Sequence, residues 1–424
     1  MNRLFLYESK TRMKFNTAVL HEGVSRDERF GATLTPIYFS SAFQHSSAEE
    51  LADVFSHKKP GFNYTRTGNP TVSAFENRMT KLEKGIASIG FSSGMAAVSN
   101  ALLNILSSGD HVVATATLYG GTIYLFNDLE QFGITTTFVR NNDFEQIENA
   151  IRDNTKVLFA ETIGNPSLDV TDLGKLAEIA HRHNIPFVVD NTVATAYLVR
   201  PVEFGADVVI NSSSKYINGN STGISGVLTD SGNFNWNNGK FQNFDKFKKF
   251  GKFAFIAKLR NGLFRDLGAC LSPQNAFYNL LGLETLALRF ERSCSNALKL
   301  ARWIAENHSA VTVNYPGLET SPSYEIAGRI LKGGYGSIIT IRVGSRENAF
   351  KIMNSLKLAY ITSNIGDTKT LVLHPASTIT VNNTEEQRIA SGVYQDLVRI
   401  SVGVEDIEDL IEDFDQAFKS VEGV

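Results

Sequence analysis

Cysteine is scarce in this chain, which has only Cys270 and Cys294 among its 424 residues. The two are not closely spaced, and no His/Cys pattern with the spacing of zinc ligands occurs. The sequence therefore supports neither a disulfide framework nor a metal site. Such a chain suits a reducing compartment, and we expect a cytoplasmic protein.

The sequence also lacks an excess of one charge and any long apolar run. Its 41 Lys and Arg residues nearly balance 44 Asp and Glu residues, for a formal net charge of -3. Charge thus gives no reason to expect a nucleic-acid or membrane partner. No stretch approaches the roughly 20 apolar residues of a membrane span. The N-terminal MNRLFLYESKTR is too short in its apolar part for a signal peptide, and Met1 and Met13 are both candidate starts.

What the sequence does contain is an alternation of strand-like and helix-like runs between about residues 85 and 215. This alternation is typical of βαβ units, and near-continuous apolar runs indicate a buried parallel sheet. A helix is predicted around residues 173–180, where apolar residues recur at helical spacing. The predicted strands are HVVATA (111–116), ITTTFV (134–139), KVLFAE (156–161), PFVVDN (186–191) and ADVVIN (206–211).

After about residue 273 the pattern changes to longer amphipathic segments separated by short strands. We predict helices over 297–304, 349–356 and 407–414, with strands at 337–343 and 397–401. The chain is longer than one hydrophobic core normally supports. We therefore predict an extended N-terminal segment (1–75), a doubly wound, mostly parallel α/β domain (76–270) and a smaller C-terminal α+β domain (271–424).

A possible phosphate site lies in GFSSGMAAVSNALLNIL (90–106), where Ser92, Ser93 and Gly94 come directly before a predicted helix. Unpaired backbone N–H groups and the helix dipole favour an anion at such a helix start. Serine is also an ordinary N-cap residue. Taken alone, this motif favours an ordinary helix cap over a phosphate site.

Two further residues follow predicted strands of the same sheet, where ligands of open parallel sheets bind. Asp190 ends FVVD, and Lys215 follows the next strand beside Ser212 and Ser214. Asp190 alone could be a turn residue and Lys215 alone a surface lysine. A lysine beside a buried site, however, loses its proton readily and becomes a nucleophile toward an aldehyde.

The three features together match the needs of pyridoxal 5'-phosphate. Lys215 would form a Schiff base with the cofactor aldehyde, and Asp190 would keep the ring nitrogen protonated. The serine hydroxyls would hold the phosphate. The coincidence of all three is a stronger indication than any one of them.

The motifs of the chain, from about Thr17 to the C-terminus, resemble the Cys/Met metabolism family of pyridoxal-phosphate enzymes, the cystathionine γ-synthase-like group. Three stretches, 253–277, 280–293 and 363–378, are similar to its O-acetylhomoserine sulfhydrylase branch. The resemblance implies a fold type I, aspartate aminotransferase-like architecture. The motifs are NYTRTGNPT (63–71), SSGMAA (92–97), LYGGT (118–122), ETIGNP (161–166), VVDNT (188–192), SSSKY (212–216), LHPAST (373–378) and DLVRISVG (396–403).

The resemblance also implies roles for individual residues around the cofactor. Lys215 would form the Schiff base and shuttle protons, Asp190 would pair with the ring nitrogen, and Asn165 would bind the ring hydroxyl. Tyr119 would stack on the ring. The phosphate would be bound by Ser93, Gly94, Met95, Ser212 and Ser214.

Other implied roles concern the neighbouring subunit and the substrate. Tyr64 and Arg66 resemble the pair that reaches the phosphate of a neighbouring subunit, so the N-terminal segment would contact that subunit in a homo-oligomer, expected to be a tetramer built as a dimer of dimers. Arg399 resembles the arginine that grips the substrate's α-carboxylate. Asn364 stands where lyase branches usually carry serine. Lys215, Tyr119 and Tyr64 would be the catalytic residues.

The activity implied is γ-replacement on O-acetyl-L-homoserine by sulfide or a thiol, giving L-homocysteine or a thioether and acetate. The partners expected are therefore these small molecules, without nucleic acid or membrane. Alternatives on the same scaffold are a cystathionine γ-synthase, a γ- or β-lyase, or a sulfhydrylase with another thiol or O-acyl donor. A further alternative is a catalytically inactive binding subunit that keeps the fold.

Three departures from the family pattern bear on these alternatives. Gly121 stands where methionine γ-lyases tend to have cysteine, which disfavours that activity. Asn218 to Thr222 replaces the family's Gly-Gly-His-Gly-Thr-like turn with more polar residues. The segment 239–255 interleaves lysine and phenylalanine, and we predict a loop near the active-site entrance there in preference to a nucleic-acid patch.

Overall fold

The structure, a computed structural model, describes residues 13–23, 27, 30–56 and 58–421. The candidate start at Met1 lies outside these residues. Among the helices that are described, none is long and apolar enough to cross a membrane.

A seven-stranded sheet forms the centre of the molecule, in the order β1-β7-β6-β5-β4-β2-β3. β7 runs antiparallel to both of its neighbours, and the other pairs are parallel. All five predicted strands are confirmed as β2 to β6, whereas β1 and β7 were not predicted. The strands are β1 (Ala87–Phe91), β2 (His111–Thr115), β3 (Thr135–Val139), β4 (Thr155–Glu161), β5 (Phe187–Asp190), β6 (Val208–Asn211) and β7 (Gly226–Asp230).

A second sheet of five strands, ordered β10-β11-β12-β9-β8, is antiparallel except between β10 and β11. The strands predicted at 337–343 and 397–401 are confirmed as β9 and β12. The strands are β8 (Thr312–Asn314), β9 (Ile338–Arg342), β10 (Tyr360–Ile361), β11 (Leu371–Leu373) and β12 (Leu397–Ser401).

The helices cover both faces of the large sheet and one face of the small one. The four predicted helices are confirmed as α7, α12, α14 and α16, although α14 ends one residue before Leu356. The α-helices are α1 (Phe15–His21), α2 (Ala48–Phe55), α3 (Pro70–Glu83), α4 (Gly94–Ile105), α5 (Gly120–Leu129), α6 (Phe144–Ala150), α7 (Leu173–Arg182), α8 (Thr195–Leu198), α9 (Ala254–Asn261), α10 (Leu263–Leu267), α11 (Pro273–Glu284), α12 (Leu286–Asn307), α13 (Tyr324–Ile330), α14 (Arg346–Ser355), α15 (Glu385–Ala390) and α16 (Ile407–Phe418).

Burial on both faces explains why the strands of the large sheet are almost wholly apolar. Val188 and Val208 face one hydrophobic cluster, while their neighbours Val189 and Val209 face the other, and all four are fully buried. Side chains of a strand alternate between the two faces, so a sheet covered on both sides needs apolar residues at every position. Burial of both faces of the sheet is the arrangement that the predicted doubly wound architecture requires. The predicted domain boundaries stay predictions.

The Lys/Phe-rich segment differs from its prediction. Most of it forms a 3-10 helix, Gln242–Phe253, followed directly by α9. Its Phe244 is fully buried and stacks on Trp236 with ring centroids 4.5 Å apart. Phe250 and Phe253, by contrast, are 40% and 43% exposed, so only the first part of the segment packs into the core. The prediction of a loop was wrong.

Candidate active site

A cavity of about 520 Å³ lies at the carboxyl edge of the large sheet, between the ends of β4 to β6, the start of α4 and the second sheet. No residue of the Lys/Phe-rich segment is among those that line it. The predicted site residues that line it are Ser93, Gly94, Met95, Tyr119, Asn165, Asp190, Ser212, Ser214, Lys215, Asn364 and Arg399.

The start of α4 forms one end of the cavity. Ser93 is the N-cap, and its hydroxyl accepts a hydrogen bond of 3.0 Å from the N–H of Ala96. The N–H groups of Gly94 and Met95 have no partner within the helix, and both residues line the cavity. A Cβ on Gly94 would lie 2.6 Å from the Cβ of Ser212, so this close approach requires glycine. The serine thus caps the helix and also stands at a site suited to an anion.

The serines after β6 differ in how they are held. The backbone N–H of Ser212 donates to Thr192 Oγ1 at 2.7 Å. The Ser214 hydroxyl donates to the Ser225 carbonyl at 3.0 Å and accepts from the Ser225 N–H at 2.8 Å. Ser214 therefore lines the cavity with its hydroxyl already bonded to the neighbouring backbone.

Asp190 ends β5 with its carboxylate at the floor of the cavity. Its Oδ1 accepts from the hydroxyl of Thr192 at 2.5 Å and from the N–H of Thr192 at 2.9 Å. Burial raises the pKa of Asp190, and these two bonds oppose the rise. Thr192 was not predicted as a site residue, although its position two residues after a strand-end aspartate is a spacing at which side chains bond to nearby backbone.

Glu161 is a second unpredicted carboxyl group at this edge, at the end of β4 beside Asp190. Burial and the nearby Asp190 raise its pKa well above the usual range. It accepts a hydrogen bond of 2.6 Å from the N–H of Tyr119. The hydrogen bonds from Thr192 favour the ionised form of Asp190, whereas burial and the nearby Asp190 favour the protonated form of Glu161.

Lys215 projects into the cavity from the turn after β6. Its Nζ donates to Asn364 Oδ1 at 2.6 Å. Burial, with a smaller contribution from the charge of Arg399, lowers the pKa of Lys215 to about 8. A sizeable fraction of such an amine is unprotonated near neutral pH, which is the state that attacks an aldehyde.

Arg399 reaches the same cavity from β12 and is 3% exposed. Its guanidinium donates to Asn165 Oδ1 at 3.1 Å and to the carbonyl of Asn364 at 3.0 Å. Burial lowers its pKa to about 10, so it stays charged. No carboxylate in the described part of the chain forms an ion pair with it. A buried cation of this kind suits an anionic ligand.

Tyr119 precedes α5 and is 42% exposed at the cavity wall. A Cβ on Gly121 would lie 2.5 Å from its ring, so a cysteine at that position requires the ring to move. The departure at Gly121 is therefore coupled to the placement of Tyr119.

Tyr64 and Arg66 are not brought to the cavity of their own chain. Arg66 Nη1 donates to the carbonyl of Arg265 at 2.7 Å, and its guanidinium lies 5.5 Å from the centre of the Tyr64 ring. Tyr64 is 46% exposed. Their predicted role at a neighbouring subunit's phosphate stays a prediction.

The residues of the cavity fit pyridoxal 5'-phosphate. The start of α4 offers backbone N–H groups beside Gly94, where a Cβ would clash with Ser212. Lys215 offers an amine of lowered pKa. Asp190 offers a buried carboxylate with one oxygen left beyond its two bonds to Thr192. These groups at the carboxyl edge of a mainly parallel sheet define a fold type I pyridoxal-phosphate enzyme.

The chain belongs to the Cys/Met metabolism PLP-dependent enzyme family, which it matches over residues 16–419. It is 42% identical to an O-acetyl-L-homoserine sulfhydrylase of Corynebacterium glutamicum, over 96% of this chain and 97% of that protein. It is 41% identical to Sulfhydrylase FUB7 of Fusarium oxysporum f. sp. lycopersici, over 96% of this chain and 98% of that protein.

The solved structure of a Campylobacter jejuni protein, described as an O-acetylhomoserine (thiol)-lyase, has a fold similar to that of this chain. The two superpose with a TM-score of 0.92 at 32% identity, covering 96% of this chain and all of the other. That structure contains N'-pyridoxyl-lysine-5'-monophosphate. Family, fold and cofactor are thereby established for this chain.

Proposed function

We propose that this enzyme catalyses γ-replacement on O-acetyl-L-homoserine, with sulfide or a thiol as acceptor and L-homocysteine or a thioether and acetate as products. The observation that carries the proposal is the cavity wall opposite the large sheet. There the buried guanidinium of Arg399 lies beside Asn364, and Asn364 in turn contacts the Lys215 amine. The names of the related sulfhydrylases agree with it.

We assign the cofactor to the large-sheet side of the cavity. The N–H groups of Gly94 and Met95, with Ser93 and Ser212, would hold the phosphate. Ser214 would join them by turning its hydroxyl proton from the Ser225 carbonyl to the phosphate. Bound there, the cofactor supplies an electron sink that stabilises negative charge at the substrate's Cα.

The ring of the cofactor has separate partners. Asp190 would bind the ring nitrogen, and the charge this requires is favoured by the two bonds from Thr192. The Nδ2 of Asn165 would bind the ring hydroxyl while its Oδ1 holds Arg399. Tyr119 would lie against the ring face from the cavity wall.

The substrate would be held and deprotonated by groups on either side of the cavity. Arg399 would bind the α-carboxylate with its planar fork. The Lys215 amine would remove a proton from Cα, work for which a pKa of about 8 is well matched. A proton would next leave Cβ, and acetate would leave Cγ with the bonding electrons of its C–O bond as a Cβ–Cγ double bond forms. The sulfur of the acceptor would then add at Cγ and lose its proton, and protons would return to Cβ and Cα.

The test is a product assay by mass spectrometry with the purified enzyme. O-acetyl-L-homoserine and O-succinyl-L-homoserine are each combined with sulfide, methanethiol or cysteine. We expect homocysteine and acetate from the acetyl ester with sulfide as the preferred pair. Cystathionine from cysteine as the main product, or a keto acid and ammonia without acceptor, would indicate a synthase or a lyase instead.

The remaining alternative is a catalytically inactive binding subunit. It predicts no product from any donor and acceptor pair, and a Lys215→Ala variant whose biological effect is unchanged. The presence of a lysine, an aspartate and an arginine in one cavity argues for catalysis.

We also propose that the chain works in the cytoplasm as a homotetramer whose sites are shared between subunits. The free thiols of Cys270 and Cys294 support a reducing compartment. Exposed apolar side chains in the N-terminal segment, among them Phe39 at 78% and Phe55 at 65%, support a subunit contact there.

Shared sites can be tested by co-expressing Arg66→Ala chains with Lys215→Ala chains. If Arg66 serves a neighbouring subunit, a mixed pair has one intact site, and a random mixture regains about a quarter of wild-type activity. If Arg66 serves its own chain, the mixture stays as inactive as the separate variants.

A further inference from the structure

The turn that departs from the family pattern contains a hydrogen-bonded connection to the active-site lysine. Ser221, in this turn, lines the cavity together with Lys215 and Asn364. Its hydroxyl contacts the carboxylate of Asp367 and accepts a hydrogen bond of 2.9 Å from Asn364 Nδ2. The other end of the Asn364 amide, Oδ1, accepts from Lys215 Nζ at 2.6 Å.

The direction of each bond in this connection is set by Asp367. Burial would raise the pKa of Asp367, but hydrogen bonds from Lys369 and Ser221 outweigh it and the pKa is lowered. An ionised carboxylate only accepts hydrogen bonds, so the Ser221 hydroxyl must donate to it. The lone pairs of Ser221 are then left to accept from the NH₂ group of Asn364.

We infer that Ser221 is a positioning residue, which orients the side-chain amide of Asn364 so that its oxygen faces the Lys215 amine. The inference rests on the proposed role of Lys215. The protonated Lys215 amine only donates and so favours the amide oxygen by itself. Once the amine has lost its proton it can also accept, and Ser221 is then the partner that keeps the oxygen toward Lys215. A reversed amide would present its NH₂ group to Lys215.

The backbone conformation at Ser221 supports a functional role for its side chain. Its φ is +55°, in the left-handed region that favours glycine. The family pattern places glycine here, whereas this chain has a serine whose hydroxyl makes two contacts. The neighbouring Thr222 also lines the cavity, but its hydroxyl donates to Asn218 Oδ1 at 3.1 Å, within the turn.

The orientation of Asn364 affects the proton affinity of Lys215. The charged and titratable groups that line the cavity with this lysine are Asp190, Glu161, Arg399 and Tyr119. The Asn364 oxygen is the direct hydrogen-bond acceptor of the amine. An acceptor oxygen stabilises the protonated amine, so weakening its orientation lowers the pH at which the amine loses its proton.

The test uses the full-length chain stripped of cofactor, with pyridoxal 5'-phosphate as the probe. The rate of its covalent uptake is followed across pH, because only the unprotonated amine attacks the aldehyde. The variants are Ser221→Ala, which removes the hydroxyl and keeps the Cβ, and Ser221→Gly, which removes the hydroxyl and the constraint on φ. Thr222→Val is the control, because it removes a hydroxyl of the same turn that does not contact Asn364.

We expect both Ser221 variants to lower the pH midpoint of uptake by about half a unit, equivalent to about a threefold change in the proton equilibrium. Thr222→Val should keep the wild-type midpoint. A wild-type midpoint in either Ser221 variant, or an equal shift in Thr222→Val, would overturn the inference. Thermal unfolding of each variant shows whether it folds. If Ser221→Ala does not fold, Ser221→Gly still tests the inference, because glycine adopts a positive φ without strain.

The uptake assay needs no amino-acid substrate, so it stands apart from the proposed reaction. If the proposed γ-replacement fails, only the product assay changes. If the product assay succeeds, the pH below which kcat falls should also move down by about half a unit in the Ser221 variants, at unchanged KM, because Lys215 rather than Arg399 is affected.

Discussion

The large-sheet wall of the cavity is built from neighbouring strand ends, with local hydrogen bonds to Thr192, whereas the opposite wall is held by hydrogen bonds between residues far apart in the chain. Asp190 and Ser212 stand where buried parallel strands end, so their positions follow from the sheet. Arg399 and Asn364 belong to a separate sheet and its connecting segment. They are held by bonds to one another, to Asn165 and to Lys215.

The difference indicates how each wall responds to change. Substitutions on the large-sheet wall meet rigid backbone and should impair cofactor binding as a whole. Substitutions on the opposite wall alter hydrogen bonds and should impair substrate binding or proton transfer while the cofactor stays bound. The largest effect is expected at Lys215, which contacts both walls.

Replacing Lys215 by methionine should have the largest effect. We expect product formation to fall at least about a thousandfold, since on the proposed assignment Lys215 provides both the covalent link to the cofactor and the proton-transferring amine. The measurement is homocysteine formation. Lys258→Met is the matched control, because burial also lowers the pKa of Lys258 to about 8 but this lysine does not line the cavity. Comparable losses in both variants would contradict the assignment.

Gly94→Ala tests the rigidity of the large-sheet wall. The new Cβ would lie 2.6 Å from Ser212 Cβ and 3.0 Å from its Cα, so the cradle must open. We expect the dissociation constant of pyridoxal 5'-phosphate to rise about a hundredfold, because several hydrogen bonds to the charged phosphate would be lost. Gly328→Ala in α13 has no atom within 4 Å of its new Cβ and serves as control. Unchanged affinity in Gly94→Ala would mean that this wall adapts.

Arg399→Lys tests the opposite wall. Lysine keeps the charge but loses the planar fork, so KM for the amino acid should rise about tenfold or more with a smaller change in kcat. Cofactor affinity should stay close to the wild-type value. Arg289→Lys provides a comparison, because Arg289 is a half-buried arginine that bonds to backbone carbonyls of Tyr216 and Gly282. It should lose thermal stability without a comparable rise in KM.

Thr192→Val should have the smallest effect, seen as a shift along the pH axis. Burial raises the pKa of Asp190, and removing the Thr192 hydroxyl takes away a bond that opposes the rise. The Asp190 pKa is then higher, so the pH below which cofactor affinity falls should move up by about one unit. Affinity measured against pH gives the shift. Thr192→Ser keeps the hydroxyl and should behave as wild type; a shift in both variants would point to packing instead.

The sequence predicted the parts of the molecule whose signals are local. Strands β2 to β6 appear as apolar runs because both faces of each are buried, and α7 appears through its 3.6-residue period. β1 and β7 escaped prediction because ASIGF and GVLTD carry small or polar residues, and their pairing depends on partners far away in the chain. Thr192 and Glu161 were missed for a similar reason, since their importance lies in what they contact.

The Lys/Phe-rich segment shows the opposite error. Its alternation of lysine and phenylalanine was interpreted as an exposed loop, but Phe244 and the adjoining Trp236 and Phe255 stack in the core. A 3-10 helix that buries Phe244 but exposes Phe250 and Phe253 has the same composition as a basic, aromatic loop. Only the packing partners distinguish them.

The sequence by itself determined the family, the cofactor and the positions of Lys215 and Asp190, because strand ends and short motifs are encoded by neighbouring residues. Tertiary structure alone decided which groups meet across the cavity. Arg399 comes within hydrogen-bond distance of Asn165 although they are 234 positions apart. Ser221 joins Asn364 and Asp367 in the same way. Such contacts form only when the two sheets pack together, so no local pattern in the chain can record them.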